Sequence, residues 1–188
     1  MVPTNAKNTS HDSTPHVSDG KKVRLLLSAE QIARRVKELG AEIRAELGDK
    51  EITLLCILKG SIFFTADLAR ALPGPVTIEF LGVTSYGNDI KSSGAVQITC
   101  DLSSSIEGKD VVIVEDIVDT GLTLAYLKRV LGARKPNSLR VCALLEKPAG
   151  KSPVRPDYVG FEIGDEFVVG YGLDWAQRLR NLPYIGAI

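Results

Sequence analysis

Residues 111–124 read VVIVEDIVDTGLTL. Val111 to Val114 are all β-branched, and a continuous apolar run without alternation marks a strand covered on both faces, as in a parallel sheet. The run ends in Glu115 and Asp116, gains Asp119, and turns through Thr120-Gly121 into Leu122 and Thr123. Leu124, Leu127, Val130 and Leu131 then fall at helical spacing, with Gly132 near the stop. Burying an unpartnered carboxylate is costly, so acids at the end of such a strand mark the place where it leaves the core.

The flanking sequence repeats the alternation of strand and helix. Ser28 to Leu47 reads as a helix: Ile32, Val36, Leu39, Ile43 and Leu47 share a face, Ser28 with Gln31 has capping-box spacing, and Gly48 is the stop. ITLLCIL (52–58) is a second continuous apolar strand, and SIFFTADLARAL (61–72) a second amphipathic helix, ended by Pro73-Gly74. PVTIEFLGV (75–83) alternates, with Val76, Ile78 and Phe80 on one face, and so does VQITCD (96–101). Residues 84–95, TSYGNDIKSSGA, read as a mobile loop. LRVCALLE (139–146), YVGFEI (158–163) and FVVGY (167–171) read as strands, and DWAQRLRN (174–181) as a short helix. The pattern predicts a three-layer α/β domain, a mainly parallel twisted sheet flanked by helices, over residues 21–188. Ligands in such folds bind beyond the carboxyl ends of the strands, where the acids lie.

Composition narrows the function. Lys plus Arg and Asp plus Glu each number 23, a balance that argues against a bulk nucleic-acid or membrane-surface binder. No apolar run has the length of a membrane span. Cys56, Cys100 and Cys142 each sit in an apolar or alternating run with no zinc spacing, and read as buried thiols in a reducing cytoplasm. Residues 1–20 are polar and read as a disordered tail, neither secretory signal nor transit peptide. Both histidines, His11 and His16, fall in it, so a folded body from residue 21 has none for a catalytic triad or a zinc site.

EDIVDTGLT (115–123) carries three acids, two threonines and a glycine in nine residues. Glu115 and Asp116 are adjacent and in extended backbone point opposite ways, each able to accept from hydroxyls or metal-bound water. Asp119 to Thr123 opens a helix, where free N–H groups and the dipole favour an anion, Gly121 permits close approach, and Thr120 and Thr123 add donors. These residues point to a phosphorylated polyol, with phosphate in the turn and hydroxyls on the acids. Solvated strand-end acids with Asp119 as a plain N-cap are the alternative.

VVIVEDIVDTGLT resembles the phosphoribosyl-pyrophosphate motif of type I phosphoribosyltransferases. LLCILKGSIFF, VTSYG, LLEKP, PDYVGFEIGDEFVVGYGLDW and LRNLPYIG resemble, in order, successive blocks of the hypoxanthine-guanine branch of that family, so the likeness spans residues 23–188. The resemblance implies the type I fold with a small hood. The implied activity is purine salvage, moving ribose 5-phosphate from phosphoribosyl pyrophosphate to hypoxanthine or guanine with release of pyrophosphate.

It also implies roles. Glu115 and Asp116 would contact the ribose hydroxyls directly or through Mg2+, with Asp174 as a further magnesium-associated acid. Asp119 would be the general base for the imidazole-ring proton of the purine, and Asp119, Thr120, Gly121, Leu122 and Thr123 would hold the 5′-phosphate. Lys59 and Gly60 match the pyrophosphate loop, where the Leu58–Lys59 peptide can be cis, and Arg180 a pyrophosphate contact. Lys147 would donate to the 6-oxo group, Phe167 would stack on the base, and Val168 would offer backbone groups to its edge. Ser85 and Tyr86 match a lid over residues 84–95. By residue type alone Lys59 reads as a surface lysine, Lys147 as a strand-end lysine, Phe167 as core and Asp174 with Gln177 as a helix cap. The family implies a cytoplasmic homodimer or homotetramer. Two rival readings are a nucleotide-sensing RNA-binding regulator of the same fold, and a sister enzyme acting on xanthine or a pyrimidine.

Overall fold

A computed structural model describes residues 17–18, 21–85, 96–147 and 154–188. Its centre is a six-stranded sheet. Strands β4 (Ile52–Leu58), β7 (Asp110–Val118), β8 (Ser138–Glu146) and β9 (Tyr158–Glu162) run parallel in that spatial order. On the other side of β4 lie β5 (Val76–Ser85), parallel to it, and β6 (Val96–Cys100), an antiparallel edge. Helices α1 (Ala29–Leu47) and α2 (Ile62–Ala71) cover one face, and α3 (Leu122–Gly132) the other. This is the expected three-layer α/β architecture.

The central strands are apolar throughout because both faces are covered. Val111, Val112, Ile113 and Val114 have no exposed surface, and neither do Leu54, Leu55 and Cys56. Alternate residues feed two cores: Leu54, Val112 and Val114 meet Ile32, Val36, Leu39 and Ile43 of α1, while Leu55, Val111 and Ile113 meet Leu124, Leu127 and Leu131 of α3. Each such side chain contributes about 1.5–3 kcal/mol on burial. The capping box of α1 is formed: Gln31 N–H donates to Ser28 Oγ at 3.3 Å, and Ser28 N–H to Gln31 Oε1 at 2.8 Å. Gly48 ends that helix at φ 67°.

Topology fixes where a ligand can sit. The chain leaves β4 outward to β5 and returns to the opposite side of β4 as β7. The loops after β4 and β7 therefore diverge and leave a crevice between the carboxyl ends of the two strands. A small hood stands over these ends. It is a three-stranded sheet in which β11 (Ile185–Ala187) pairs antiparallel with both β10 (Val168–Val169) and β3 (Arg24–Leu27).

Several expectations need correction. The strand from Val111 continues past Glu115 to Val118, so both acids lie within it. The strand read over 167–171 is only Val168–Val169, because Gly170, Tyr171 and Gly172 all have positive φ. Residues 174–181 form turns and not a helix, since Ala176, Gln177 and Leu179 have φ of 50°, 67° and 71°, outside right-handed helix. Cys56 and Cys142 are buried as expected, but Cys100 is exposed because it lies on the edge strand β6. On β5, Ile78 and Phe80 are also exposed, beyond the reach of α2, while Leu81 and Glu79 are buried on the other face. Residues 1–16 and 19–20 of the expected tail lie outside the described residues, and Val17–Ser18 (β1) pairs with Lys21–Lys22 (β2).

Candidate active site

The acidic strand end divides between two sides of the crevice. Glu115, with only 6% of its surface exposed, lines a cavity with Val118, Asp119, Thr120, Gly121 and Thr123. Asp116 faces the loop after β4, so closely that a methyl group on Gly60 would overlap its carboxylate. Adjacent residues of an extended strand point in opposite directions, as the sequence implies. Asp116 Oδ1 accepts from Ile117 N–H at 2.9 Å. Burial pushes the Glu115 carboxyl well above the usual range, and the Asp116 charge adds to it. Burial also raises Asp116 to about 6, against the pull of the Ile117 N–H and the Arg180 guanidinium, with Asp174 adding a smaller upward push.

The turn after β7 leaves the start of α3 uncapped beside the cavity. Gly121 is the N-cap of α3 at φ 70°, a left-handed conformation that glycine adopts without cost. No side chain caps this helix; Leu122 N–H makes only a long 3.5 Å contact to Thr120 Oγ1. The first intrahelical bond runs from Ala125 N–H to Gly121 O at 2.9 Å, so the N–H groups before it have no helical acceptor. They and the helix dipole face the cavity that Thr120 and Thr123 line. Asp119 is thus not the plain N-cap that one reading allowed.

Just past the end of β8, Lys147 N–H donates to Val118 O at 2.9 Å, which carries the lysine to the end of β7. Its Nζ stands 3.8 Å from Asp119 Oδ2, with the lysine side chain 13% exposed and the aspartate 62% exposed. Phe167 is 54% exposed at the start of the hood, so it is not a core residue. Val168 is buried on β10, the edge strand of the hood, whose outer side has no ladder partner among the described residues. Ser85 closes β5 opposite Val96, while Tyr86 and the rest of the expected lid to residue 95 lie outside the described residues.

Across the crevice the Leu58–Lys59 peptide is cis, and Gly60 is buried. Lys59 Nζ donates to Gln177 Oε1 at 3.3 Å. Arg180 Nη2 pairs with Asp174 Oδ1, and its Nη1 donates to Gly172 O at 2.7 Å. Gln177 N–H donates to Asp174 Oδ2 at 2.7 Å, so the cap-like contact forms without a helix behind it.

This geometry can be set beside known proteins. Residues 23–175 match the phosphoribosyl transferase domain. The chain belongs to that family. It is 48% identical to the hypoxanthine-guanine phosphoribosyltransferase of Bacillus subtilis, over 88% of this chain and 92% of that one. Against the enzyme of the same name from Mycobacterium avium the identity is 51%, over 87% and 84%. Among solved structures, a hypoxanthine phosphoribosyltransferase from Staphylococcus aureus superposes with a TM-score of 0.84 at 46% identity, covering 88% of this chain and 90% of that one.

In this phosphoribosyltransferase the donor set suits magnesium. Glu115, Asp116 and Asp174 offer hard carboxylate oxygens, and burial disfavours the charged form of the two on β7, a cost that a nearby cation would relieve. Among the described residues no three acids, histidines or cysteines converge as a ready-made metal cage. The sequence did not reveal Tyr171, Gly172 or Gln177 as parts of the site. GYG (170–172) was its one sign, two glycines around an aromatic where the backbone turns left-handed.

Proposed function

We infer that this phosphoribosyltransferase is a purine salvage enzyme. It transfers the 5-phosphoribosyl group of phosphoribosyl pyrophosphate to hypoxanthine or guanine and releases pyrophosphate. One observation carries the base assignment: a cation and an anion, Lys147 Nζ and Asp119 Oδ2, held 3.8 Å apart beside the phosphate cradle. A 6-oxopurine presents a carbonyl next to an imidazole ring nitrogen along one edge, which complements such a pair. Lysine has three donors and no acceptor, so it meets the 6-oxo group and repels the 6-amino group of adenine. Exposed Phe167 suits stacking on the base, and the edge of β10 at Val168 suits contacts to its rim.

The 5′-phosphate fits the turn from Asp119 to Thr123. As the bond from C1′ to the pyrophosphate oxygen breaks, positive charge grows on the ribose. Glu115 and Asp116 supply a negative field for it. The imidazole nitrogen away from the 6-oxo edge, N9, forms the new bond to C1′ as the bond to pyrophosphate breaks, and the imidazole proton on N7 passes to the Asp119 carboxylate. Lys59, Gly60 and Arg180 receive the leaving pyrophosphate. Glu115, Asp116 and Asp174 would hold magnesium, which when bound neutralises charge on the phosphate and hydroxyl oxygens. Ser85 and Tyr86 belong to a lid that keeps water from the cationic sugar. The enzyme works in the cytoplasm as a homodimer or homotetramer. No described helix is long and apolar enough to cross a membrane, and the even charge balance supports a role without nucleic acid.

The test is nucleotide formation from phosphoribosyl pyrophosphate with hypoxanthine, guanine, xanthine and adenine in parallel, with and without magnesium. Magnesium-dependent product from hypoxanthine or guanine, and none from adenine, is expected. Retained binding of phosphoribosyl pyrophosphate with no product from any purine would remove the base assignment.

A further inference from the structure

We propose that Asp67 and Tyr171 form a positioning pair that holds the pyrophosphate side of the site. The inference rests on the phosphoribosyl-transfer reading and adds two residues that touch neither the cradle nor the base pocket. Gly170, Tyr171 and Gly172 have φ of 95°, 49° and 106° in succession. Glycine accepts such values freely. A tyrosine does not, and stays there only where its surroundings hold it.

Three contacts hold Tyr171. Its hydroxyl donates to Asp67 Oδ2 on α2 at 2.7 Å, across 104 residues of chain. Its ring is buried, with the Phe63 ring 6.4 Å away, and its N–H donates to Leu182 O at 2.8 Å. Asp67 is itself oriented by Arg70 Nη1 one turn along the helix.

The turn so fixed determines where Gly172 lies, and Gly172 touches both parts of the pyrophosphate side. Its α-carbon packs on the carbonyl of Gly60, leaving no room for a side chain. Its N–H donates to Arg180 O at 2.9 Å, and its carbonyl accepts from Arg180 Nη1. Arg180 in turn pairs with Asp174. Rotation of Tyr171 out of the left-handed region would displace Gly172 from Gly60 and loosen Arg180 together with Asp174. The bond from the Tyr171 hydroxyl to the Asp67 carboxylate acts on these groups only through the backbone.

The probes are inorganic pyrophosphate with magnesium, titrated calorimetrically into the full chain, and steady-state KM values for both substrates. The variants are Tyr171→Phe, Asp67→Ala, their double mutant, and Asp67→Asn, which keeps an acceptor. Tyr171→Phe and Asp67→Ala are each expected to weaken magnesium pyrophosphate about ten-fold. The double mutant should be no worse than either, because one interaction is lost once. Asp67→Asn should restore most of the affinity, and KM for hypoxanthine should move by less than about two-fold. Unchanged pyrophosphate affinity with a lower melting temperature would reduce the pair to a brace of the fold and overturn the proposal. Fully additive losses, or equal losses for purine and pyrophosphate, would overturn it as well. Wild-type protein that binds pyrophosphate but makes no nucleotide would sink the transfer reading alone, since the titration still decides the pair.

Discussion

Lys147 has lost most of its hydration yet meets Asp119 only at 3.8 Å, longer than a direct charge-assisted hydrogen bond. Room is therefore left for a base edge that offers an acceptor to Lys147 and a donor to Asp119, and such an edge would bind both. Lys147→Ala is expected to erase discrimination of hypoxanthine over adenine by about 10²-fold in kcat/KM, because the loss falls on one hydrogen-bonding group of the base. Affinity for phosphoribosyl pyrophosphate should be unchanged; equal losses for both substrates would contradict a selector role. Asp119→Asn removes the proton acceptor and keeps the shape. It should lower turnover by about 10²–10⁴-fold while phosphoribosyl pyrophosphate binds as before. Near-normal turnover in single-turnover kinetics would take Asp119 out of the chemistry.

At the scale of elements, the two strand-to-loop junctions at β4 and β7 make the site, and they are built against each other. Gly60 has no side chain because the Asp116 carboxylate occupies that space. Gly60→Ala must push Asp116 aside, and Asp116 is short and has little freedom to move. The expected result is a folded protein whose KM for phosphoribosyl pyrophosphate rises about ten-fold or more while KM for the purine changes less. An unaltered KM would show that the loop yields without disturbing the acid. The junctions also separate what was legible in the sequence from what was not. The buried strands, the capped α1, the helix after Gly121 and the acids at the end of β7 follow from local patterns, since periodicity, caps and turn residues act within a few positions of one another. The segment 174–181 does not. Asp174 and Gln177 have capping spacing, and their contact forms, but Arg180 and Lys59 draw the chain into left-handed turns that no local preference encodes. Phe167 and Lys147 were ambiguous for the same reason: exposure on the crevice is a property of the assembled sheet and hood.

Over the whole molecule, the sheet must be carried from its edge at β6 back to its centre at β7, and the crossing at residues 101–109 is anchored far from the crevice. Ile106 of that crossing is fully buried in the core beneath α3. Glu79 of β5 holds it by accepting from Ser103 N–H at 3.1 Å and from the Ser103 and Ser104 hydroxyls. The Ser104 hydroxyl is the main cause of a Glu79 carboxyl held below the usual range, with Ser103 assisting and burial opposing. Asp110, at the start of β7, is likewise held down by Ser138 and Asn137 against the larger opposing effect of burial. A carboxyl with a lower pKa folded than unfolded binds fewer protons in the native state. Its stabilisation is therefore complete above the unfolded value and is lost as pH falls through the folded one. Glu79→Gln should cost about 1–3 kcal/mol at neutral pH, from charged hydrogen bonds replaced by weaker ones. Urea unfolding of both proteins at pH 7, 5, 4 and 3 checks the sign: the gap should stay open down to the ordinary glutamate range and close below it, with turnover at pH 7 unchanged. A gap of constant size across that range would mean that the glutamate acts by shape and packing, and that its charge does not anchor the crossing.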